Sequence, residues 1–438
     1  MKFKIALFYL IAVLFFSWGF LVARYQFFPW ELIGKKIIKI EKFVESDPFD
    51  DTPMTERIIS EFVERTSQFE AEFCAEFPEG AALSPDFFDP DQTGLPLFYT
   101  KKTEGYYLIY GVFDPAKGKL GPYAILIDVN GNVKRSLSVP FLDDSKGVRR
   151  LLITKNGNLL TNCSEALRCY SWQGVLKWEL PINNFHHEME EYDGKIYLWR
   201  GDAVVSVDLE DQSITTLLTM GELVVSNPDV VSLRIPLNEK FQYMEKHKRT
   251  IAFDGKDPDL ANKKVAFRYE DPYHQNHAAV NGDACSLFPK DALLISMRHI
   301  DTVFVVDQNT AKVLWEAHFD RQHCPRWEAD GITVYNNRPH FQYSTIEYLS
   351  FDKKRKKILV DGKDYAFDRY ATGNHAILDD GSILFVCNEP EFYHLSKDGE
   401  VISRFVNRHN SKLLHVANVF YIDEATYQRL ESGGPLVE

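Results

Sequence analysis

The chain has 438 residues and a formal charge of -13, from 50 Lys and Arg against 63 Asp and Glu. That acidic balance excludes nucleic acid as a natural partner, because neutralising phosphates needs a basic surface. An aromatic share of 14%, with 32 Phe and 21 Tyr, suits many short strands packed face to face and is unlike helical repeats, which are richer in Ala and Leu.

Lys2 and Lys4 precede a run of uncharged residues, Ile5 to Ala23, long enough to cross the hydrocarbon core of a bilayer, and Arg24 ends it. Phe20-Leu21-Val22-Ala23 offers no small-x-small cleavage site, so residues 1–24 are expected to form an uncleaved signal anchor, a transmembrane helix; a cleaved signal is the alternative. Residues 25–94 read as a linker. Within it, Ile58, Ile59, Phe62, Val63 and Phe69 follow Thr55 at the spacing of an amphipathic helix. Pro78, Pro85, Pro90 and Pro96 then mark an irregular passage into a body expected over residues 95–420, with a tail over 421–438.

The body repeats one phrase: a polar turn with Gly or Asp, an apolar strand, a second strand, another turn, and a strand with Val and often Trp. Copies centre on Tyr106 to Val133, Leu151 to Leu180, Asp193 to Asp208, Lys290 to Trp315, Asp330 to Val360 and Asp380 to Phe405. Six four-stranded units imply an all-β fold, a six-bladed β-propeller; a pair of β-sandwiches would not repeat the two-turn phrase. An insertion over about residues 221–273 breaks the period and is expected on one face of the ring, near the site. The run Lys353 to Lys357 reads as a solvated hairpin tip.

The stretch Asp271 to Asp307 joins architecture and chemistry. It predicts strands over Ala292 to Met297 and Thr302 to Val306, with Arg298 and His299 at their junction and histidines ahead of them. His187, His323 and His375 precede the turn glycines Gly194, Gly331 and Gly381 by seven, eight and six residues, which predicts equivalent places in their blades and convergence on the axis. His274 or His277 enters from the insertion side. A ring of imidazoles with a guanidinium at the mouth of an acidic protein suits a small anion. Metal binding is the lesser reading, since no HxH or HxxxH pair occurs among them and Arg298 would repel a cation. No P-loop, dinucleotide glycine motif or nucleophile elbow is present, and no cofactor is expected. Cys163 and Cys169 flank a short connection between two strands, and a local disulfide is expected if their Cβ atoms approach closely; Cys74, Cys285, Cys324 and Cys387 have no legible pairing.

Phe185-His186-His187-Glu188, Asp271-Pro272-Tyr273-His274-Gln275-Asn276, Ser296-Met297-Arg298-His299, and Gln322-His323-Cys324 followed by Val334-Tyr335-Asn336-Asn337 resemble the bacterial arylsulfotransferase family. The resemblance runs from about residue 95 to Phe420. It implies an exported six-bladed propeller that moves sulfuryl groups from an aryl sulfate donor to a phenolic acceptor without a nucleotide. By the same resemblance His323 matches the nucleophilic histidine, His274 and Arg298 match sulfate-binding and acid-base groups, and His187 matches a further pocket histidine. Asn276, His277, His299, His186 and His375 are the substrate-binding candidates. Cys324 stands where Asp or another polar residue is usual, and Tyr335-Asn336-Asn337 where Phe-Asp-Asn is. The competing readings are a non-catalytic envelope propeller that binds a small anion or a protein partner and, more weakly, a quinone-cofactor dehydrogenase. Expected partners are the donor, the acceptor and, through the N-terminal anchor, a membrane, with the propeller on the periplasmic side of a bacterial inner membrane. A homo-oligomer is compatible with the chain.

Overall fold

Short runs of alternating or fully apolar residues, punctuated by Asx and Gly turns, leave each strand with two faces to bury, and the chain meets that demand by stacking one small sheet against the next. The computed structural model describes residues 81–83, 87–88, 95–116, 120–139, 150–163, 166–181, 185–233, 273–338, 343–365, 373–387, 390–409 and 412–436. They form an all-β six-bladed propeller.

Blades 2 to 5 are antiparallel meanders of consecutive strands. Blade 2 runs Arg150–Ile153, Leu159–Cys163, Ala166–Tyr170 and Leu176–Leu180; blade 3 runs Phe185–Tyr192, Lys195–Arg200, Ala203–Asp208 and Ile214–Thr219. Blade 4 runs Gln275–Val280, Ala292–Met297, Thr302–Asp307 and Lys312–His318; blade 5 runs His323–Glu328, Gly331–Asn336, Thr345–Ser350 and Lys356–Asp361. Blade 6 starts with Asn374–Ile377 and passes through Ile383–Cys387 and Glu391–Leu395 to Val401–Val406, outside which Leu97–Thr100 and Ala81–Ala82 are added. Blade 1 closes the ring. Its strands Tyr106–Phe113, Gly121–Asp128 and Val133–Ser138 take their innermost partner from the far end of the chain, Val416–Ile422. That closing strand, with the capped helix Glu424–Glu431 behind it, is where the sequence suggested the end of the last blade and a tail.

The apolar core is divided among the seams between blades. Leu108, Leu126, Leu151 and Tyr170 fill the seam of blades 1 and 2, Leu160, Leu167, Phe185 and Ile196 that of blades 2 and 3, and Trp199, Leu218, Ala278 and Ile295 that of blades 3 and 4. Leu294, Val303 and Ile332 continue between blades 4 and 5, Tyr335, Ile346 and Phe385 between blades 5 and 6, and Ile109, Ile125, Phe392 and Phe405 between blades 6 and 1. Each seam also carries directional bonds. The fully buried Trp199 donates its indole N–H to the carbonyl of His277 at 2.8 Å, tying blade 3 to the innermost strand of blade 4.

The insertion begins with a seven-residue helix, Met220–Ser226, set by a capping box in which Thr219 and Glu222 satisfy each other's free amides. Residues 234–272 of the insertion, the expected linker helix and the expected membrane anchor at Ile5 to Ala23 all lie outside the described residues. No helix among the described residues is long and apolar enough to cross a membrane. Lys353 takes a left-handed φ of 60° between the last two strands of blade 5, so the basic run is a hairpin tip, as its composition suggested.

The expected Cys163–Cys169 bridge is not formed. The register pairs Cys163 with Ala166 and Cys169 with Leu160, so the two cysteines stand three positions apart along one hairpin, roughly 10 Å at the rise of a strand. That exceeds the reach of a disulfide, and Cys169 is a buried free thiol.

Candidate active site

Six innermost strands surround the axis, and in blades 3, 4 and 5 the backbone departs from regular pleating beside the histidines. Register shifts fall between His186 and Glu190 in blade 3, Gln275 and His277 in blade 4, and His323 and Arg326 in blade 5. Left-handed φ angles at His187 (64°), His274 (48°) and Cys324 (48°) accompany them. Such angles are disfavoured by about 1–2 kcal/mol for a residue with a Cβ, and bulges of this kind re-aim side chains. Here they gather three imidazoles. The His187 and His274 rings meet edge to face at 4.8 Å, and His187 and His323 lie 6.3 Å apart.

Arg298 reaches the same place by another route. After Met297 the chain turns through a single 3₁₀ turn, Arg298–Ile300, ended by Asp301 in a left-handed conformation. The Arg298 amide donates to the carbonyl of His274 at 3.0 Å, and that of His299 to the carbonyl of Tyr273 at 2.9 Å, folding the turn onto the segment before blade 4. The guanidinium Nη1 then lies 3.4 Å from His274 Nε2, and the half-stacked His299 ring 4.6 Å from that of His274.

His323 is 1% exposed, and its protonation is legible from its partners. Nδ1 lies 3.1 Å from the carbonyl of Arg321 and 2.7 Å from Asn337 Oδ1. A carbonyl only accepts, so Nδ1 carries the proton and donates it, and Asn337 must present its oxygen rather than its NH₂. Nε2 is then the atom with the free lone pair, and it is buried with no partner. Burial, reinforced by the Arg298 charge and more weakly by His274 and Arg150, holds this imidazole well below the usual histidine range. Neighbouring Gln322 is fixed by its side-chain NH₂, which reaches Ser296 Oγ (3.0 Å) and the carbonyls of Met297 (3.2 Å) and Thr302 (2.9 Å). Asn276 Nδ2 donates to the Gln322 carbonyl at 2.7 Å, so Asn276 braces the strand that carries His323 and keeps a buried, unpartnered Oδ1.

His277 and His375 are not in this cluster. They sit with Arg326, whose charge, after burial, is the next cause depressing both; His277 is pushed down to about 3. His375 Nε2 bonds Thr333 Oγ1 at 3.1 Å instead. Similar spacing from the turn glycines does not give equal height along the axis, because blades 3 and 5 carry a bulge between turn and histidine and blade 6 pairs regularly there, while His277 lies on the turn side of the blade 4 bulge. His186 pairs opposite Trp199, and its side chain lies outside the described residues.

Two groups that the sequence did not single out complete the site. Arg150 opens the innermost strand of blade 2, is ion-paired with Glu188 of blade 3, and donates to the Ala417 carbonyl of blade 1 at 3.0 Å. Asn337, noticed only as part of a motif, proves to be the residue that orients His323. No group of three metal-ligating side chains occurs among the described residues.

A family model described as arylsulfotransferase (ASST) matches residues 98–318. No curated protein matches the chain. Among solved structures, a protein of unknown function from Bacteroides caccae aligns with TM-score 0.44 at 11% identity, covering 74% of this chain and 100% of its own. A catalytically inactive virginiamycin B lyase from Staphylococcus aureus with quinupristin aligns with TM-score 0.37 at 8% identity, covering 74% and 98%. Apo AztD from Citrobacter koseri aligns with TM-score 0.38 at 11% identity, covering 74% and 99%. At these values the structural likenesses carry no argument about what the chain does.

The buried histidines set a pH dependence. His277, His323, His375 and His394 all have depressed folded-state values, with burial the first cause in each and His394 at about 4. Between their folded values and about 6.5 the unfolded chain binds protons that the native state refuses, so stability falls as pH falls, by up to about 1.4 kcal/mol per pH unit for each histidine. Urea unfolding of the propeller at pH 7, 6 and 5 should show this decline, and replacing His394 with Asn should make it shallower. A flat profile would contradict the burial assigned to these rings.

Proposed function

This chain belongs to the arylsulfotransferase family and is a sulfotransferase enzyme, and on that premise we propose that it moves a sulfuryl group from an aryl sulfate to a phenol through a covalent intermediate on His323. The observation that carries the reading is the state of His323: a neutral imidazole with Nδ1–H held by two acceptors and Nε2 buried and unpartnered among His187, His274 and Arg298.

The lone pair of Nε2 attacks sulfur, the N–S bond forms, and the S–O bond to the aryl group breaks with its electrons passing to the phenolate. Arg298 donates to the sulfuryl oxygens, where charge is greatest, and His187 or His274 delivers a proton to the leaving oxygen and takes one from the incoming phenol. The sulfurylated ring keeps its Nδ1 proton, because Asn337 and the Arg321 carbonyl accept that hydrogen bond but do not take the proton. The intermediate therefore stays a good donor, and the second phenol regenerates free His323.

The two departures from the family pattern do not reach this chemistry. The Cys324 thiol donates to Asn374 Oδ1 at 3.3 Å, and burial pushes it up to about 12, so it is no competing nucleophile. Asn336 supplies its oxygen to the Asp320 amide at 2.8 Å and its NH₂ to Glu347 at 3.1 Å. The non-catalytic reading gains no support from either.

Replacing His323 with Asn should lower turnover of p-nitrophenyl sulfate with phenol by on the order of 10⁴-fold or more with the fold kept, since no blade seam depends on that ring. In the wild type the acid limb of kcat/KM should lie below pH 6.5, because His323 protonates only below its ordinary range. Undiminished turnover in the variant would rule out His323 as nucleophile.

The uncharged run Ile5 to Ala23 supports a membrane anchor with the propeller on the periplasmic side. A C-terminal alkaline phosphatase fusion should then be active and a C-terminal β-galactosidase fusion inactive; the reverse pattern would overturn the orientation.

A further inference from the structure

Below the three imidazoles, the innermost strands carry a second polar layer. Arg326 stands three residues along its strand from His323, roughly 10 Å deeper at the rise of a strand. Its guanidinium reaches Glu190 of blade 3 at 3.2 Å, the His375 carbonyl of blade 6 at 2.6 Å and Asn374 Oδ1 at 3.2 Å. The same Asn374 oxygen accepts the thiol of Cys324, the residue next to the nucleophile. One side chain therefore joins blades 3, 5 and 6. Blades 3 and 5 are not neighbours, so the Arg326–Glu190 bridge crosses the axis of the ring.

Exposure changes sharply at this bridge. The Arg326 and Glu190 side chains remain 30% and 26% accessible although the ring encloses them, whereas His323 and His375 are 1% exposed and His277 and Cys324 are 0%. Solvent therefore reaches the bridge itself but not the rings packed against it. Around the bridge, both ring nitrogens of His277 and Nδ1 of His375 are buried without partners, and they would hydrogen-bond any water that passed it.

We propose that the Arg326–Glu190 bridge is the floor of the active site and determines whether the sulfuryl group goes to a phenol or to water. The proposal rests on the sulfohistidine reading above. Water attacking that intermediate would form an S–O bond, break the N–S bond with its electrons returning to Nε2, and release sulfate and the two water protons to solvent. A transferase has to deny this route while admitting phenols, and a hydrogen-bonded ion pair across the axis limits the water held beneath the intermediate without an apolar plug. Glu190 and Arg326 are positioning residues here; neither touches the donor.

The test is the partition of product. With p-nitrophenyl sulfate as donor and phenol as acceptor, inorganic sulfate and phenyl sulfate are measured together for the wild type and for Glu190→Ala, Arg326→Ala and Glu190→Gln. The wild type should yield mainly phenyl sulfate and, without acceptor, hydrolyse its adduct slowly. Both alanine variants should raise the sulfate-to-phenyl sulfate ratio several-fold, while Glu190→Gln, which keeps a hydrogen bond across the axis, stays near the wild type. A merely structural role would lower both products together and leave the ratio unmoved. An unchanged ratio in the folded alanine variants overturns the floor, as does wild-type hydrolysis as fast as transfer. Absence of any sulfuryl adduct on the wild type overturns instead the reading on which the floor rests.

Discussion

The pairing of Val416–Ile422 with Tyr106–Gly111 is the constraint on which everything at the axis depends, because only a closed ring brings the entry ends of six strands together. Its partners are separated by some three hundred residues, yet closure entropy grows only logarithmically with loop length, so one well-bonded strand can offset it. The crossing is close. A Cβ on Gly111 would lie 2.4 Å from the His415 carbonyl, the same carbonyl that accepts the Val112 amide, so the position takes only glycine. The adjoining seam of blades 6 and 1 is bonded as well as packed: the buried Tyr107 hydroxyl links His394 Nδ1 at 2.8 Å and Ser403 Oγ at 2.6 Å, and Ser382 Oγ meets the other ring nitrogen of His394.

Closure explains the electrostatics. Burial keeps His323 unprotonated, and the cations beside it, Arg298 first and Arg150 more weakly, push in the same direction while favouring an anion. One arrangement thus keeps the lone pair free and suits the proposed aryl sulfate. The same burial predicts acid sensitivity, since His323 and the buried rings outside the site, His277, His375 and His394, favour the unfolded chain once pH drops below their ordinary range. Arg150 is itself neutralised by Glu188, which lets a guanidinium stay in the ring's interior without an uncompensated buried charge.

The blade count was legible because turn chemistry repeats: the Asx-Gly and Gln-Gly phrases near Gly131, Gly157, Gly174, Gly194, Gly381 and Gly399 each occupy a left-handed φ that favours glycine. His187, His274, Arg298 and His323 were legible as motifs, and the fold brings them together. What pattern could not show lies in register. A bulge moves a side chain by one position without changing composition, which is why His375 and His277 were grouped with the site and lie instead with Arg326. Cys163 and Cys169 looked bridgeable on spacing alone, but their hairpin turns between Cys163 and Ala166, so the second cysteine is carried away from the first. Arg150 had no signal, being one of two adjacent arginines ahead of a short strand, and the closing strand could not be assigned to the first blade from local sequence.

If Nε2 of His323 takes up the sulfuryl group, mass spectrometry of the wild-type protein after exposure to p-nitrophenyl sulfate without acceptor, with peptide fragmentation to locate the adduct, will detect it there. One sulfuryl group on His323, discharged when phenol is added, is the predicted result; an adduct on another residue, or one that phenol does not remove, would contradict it.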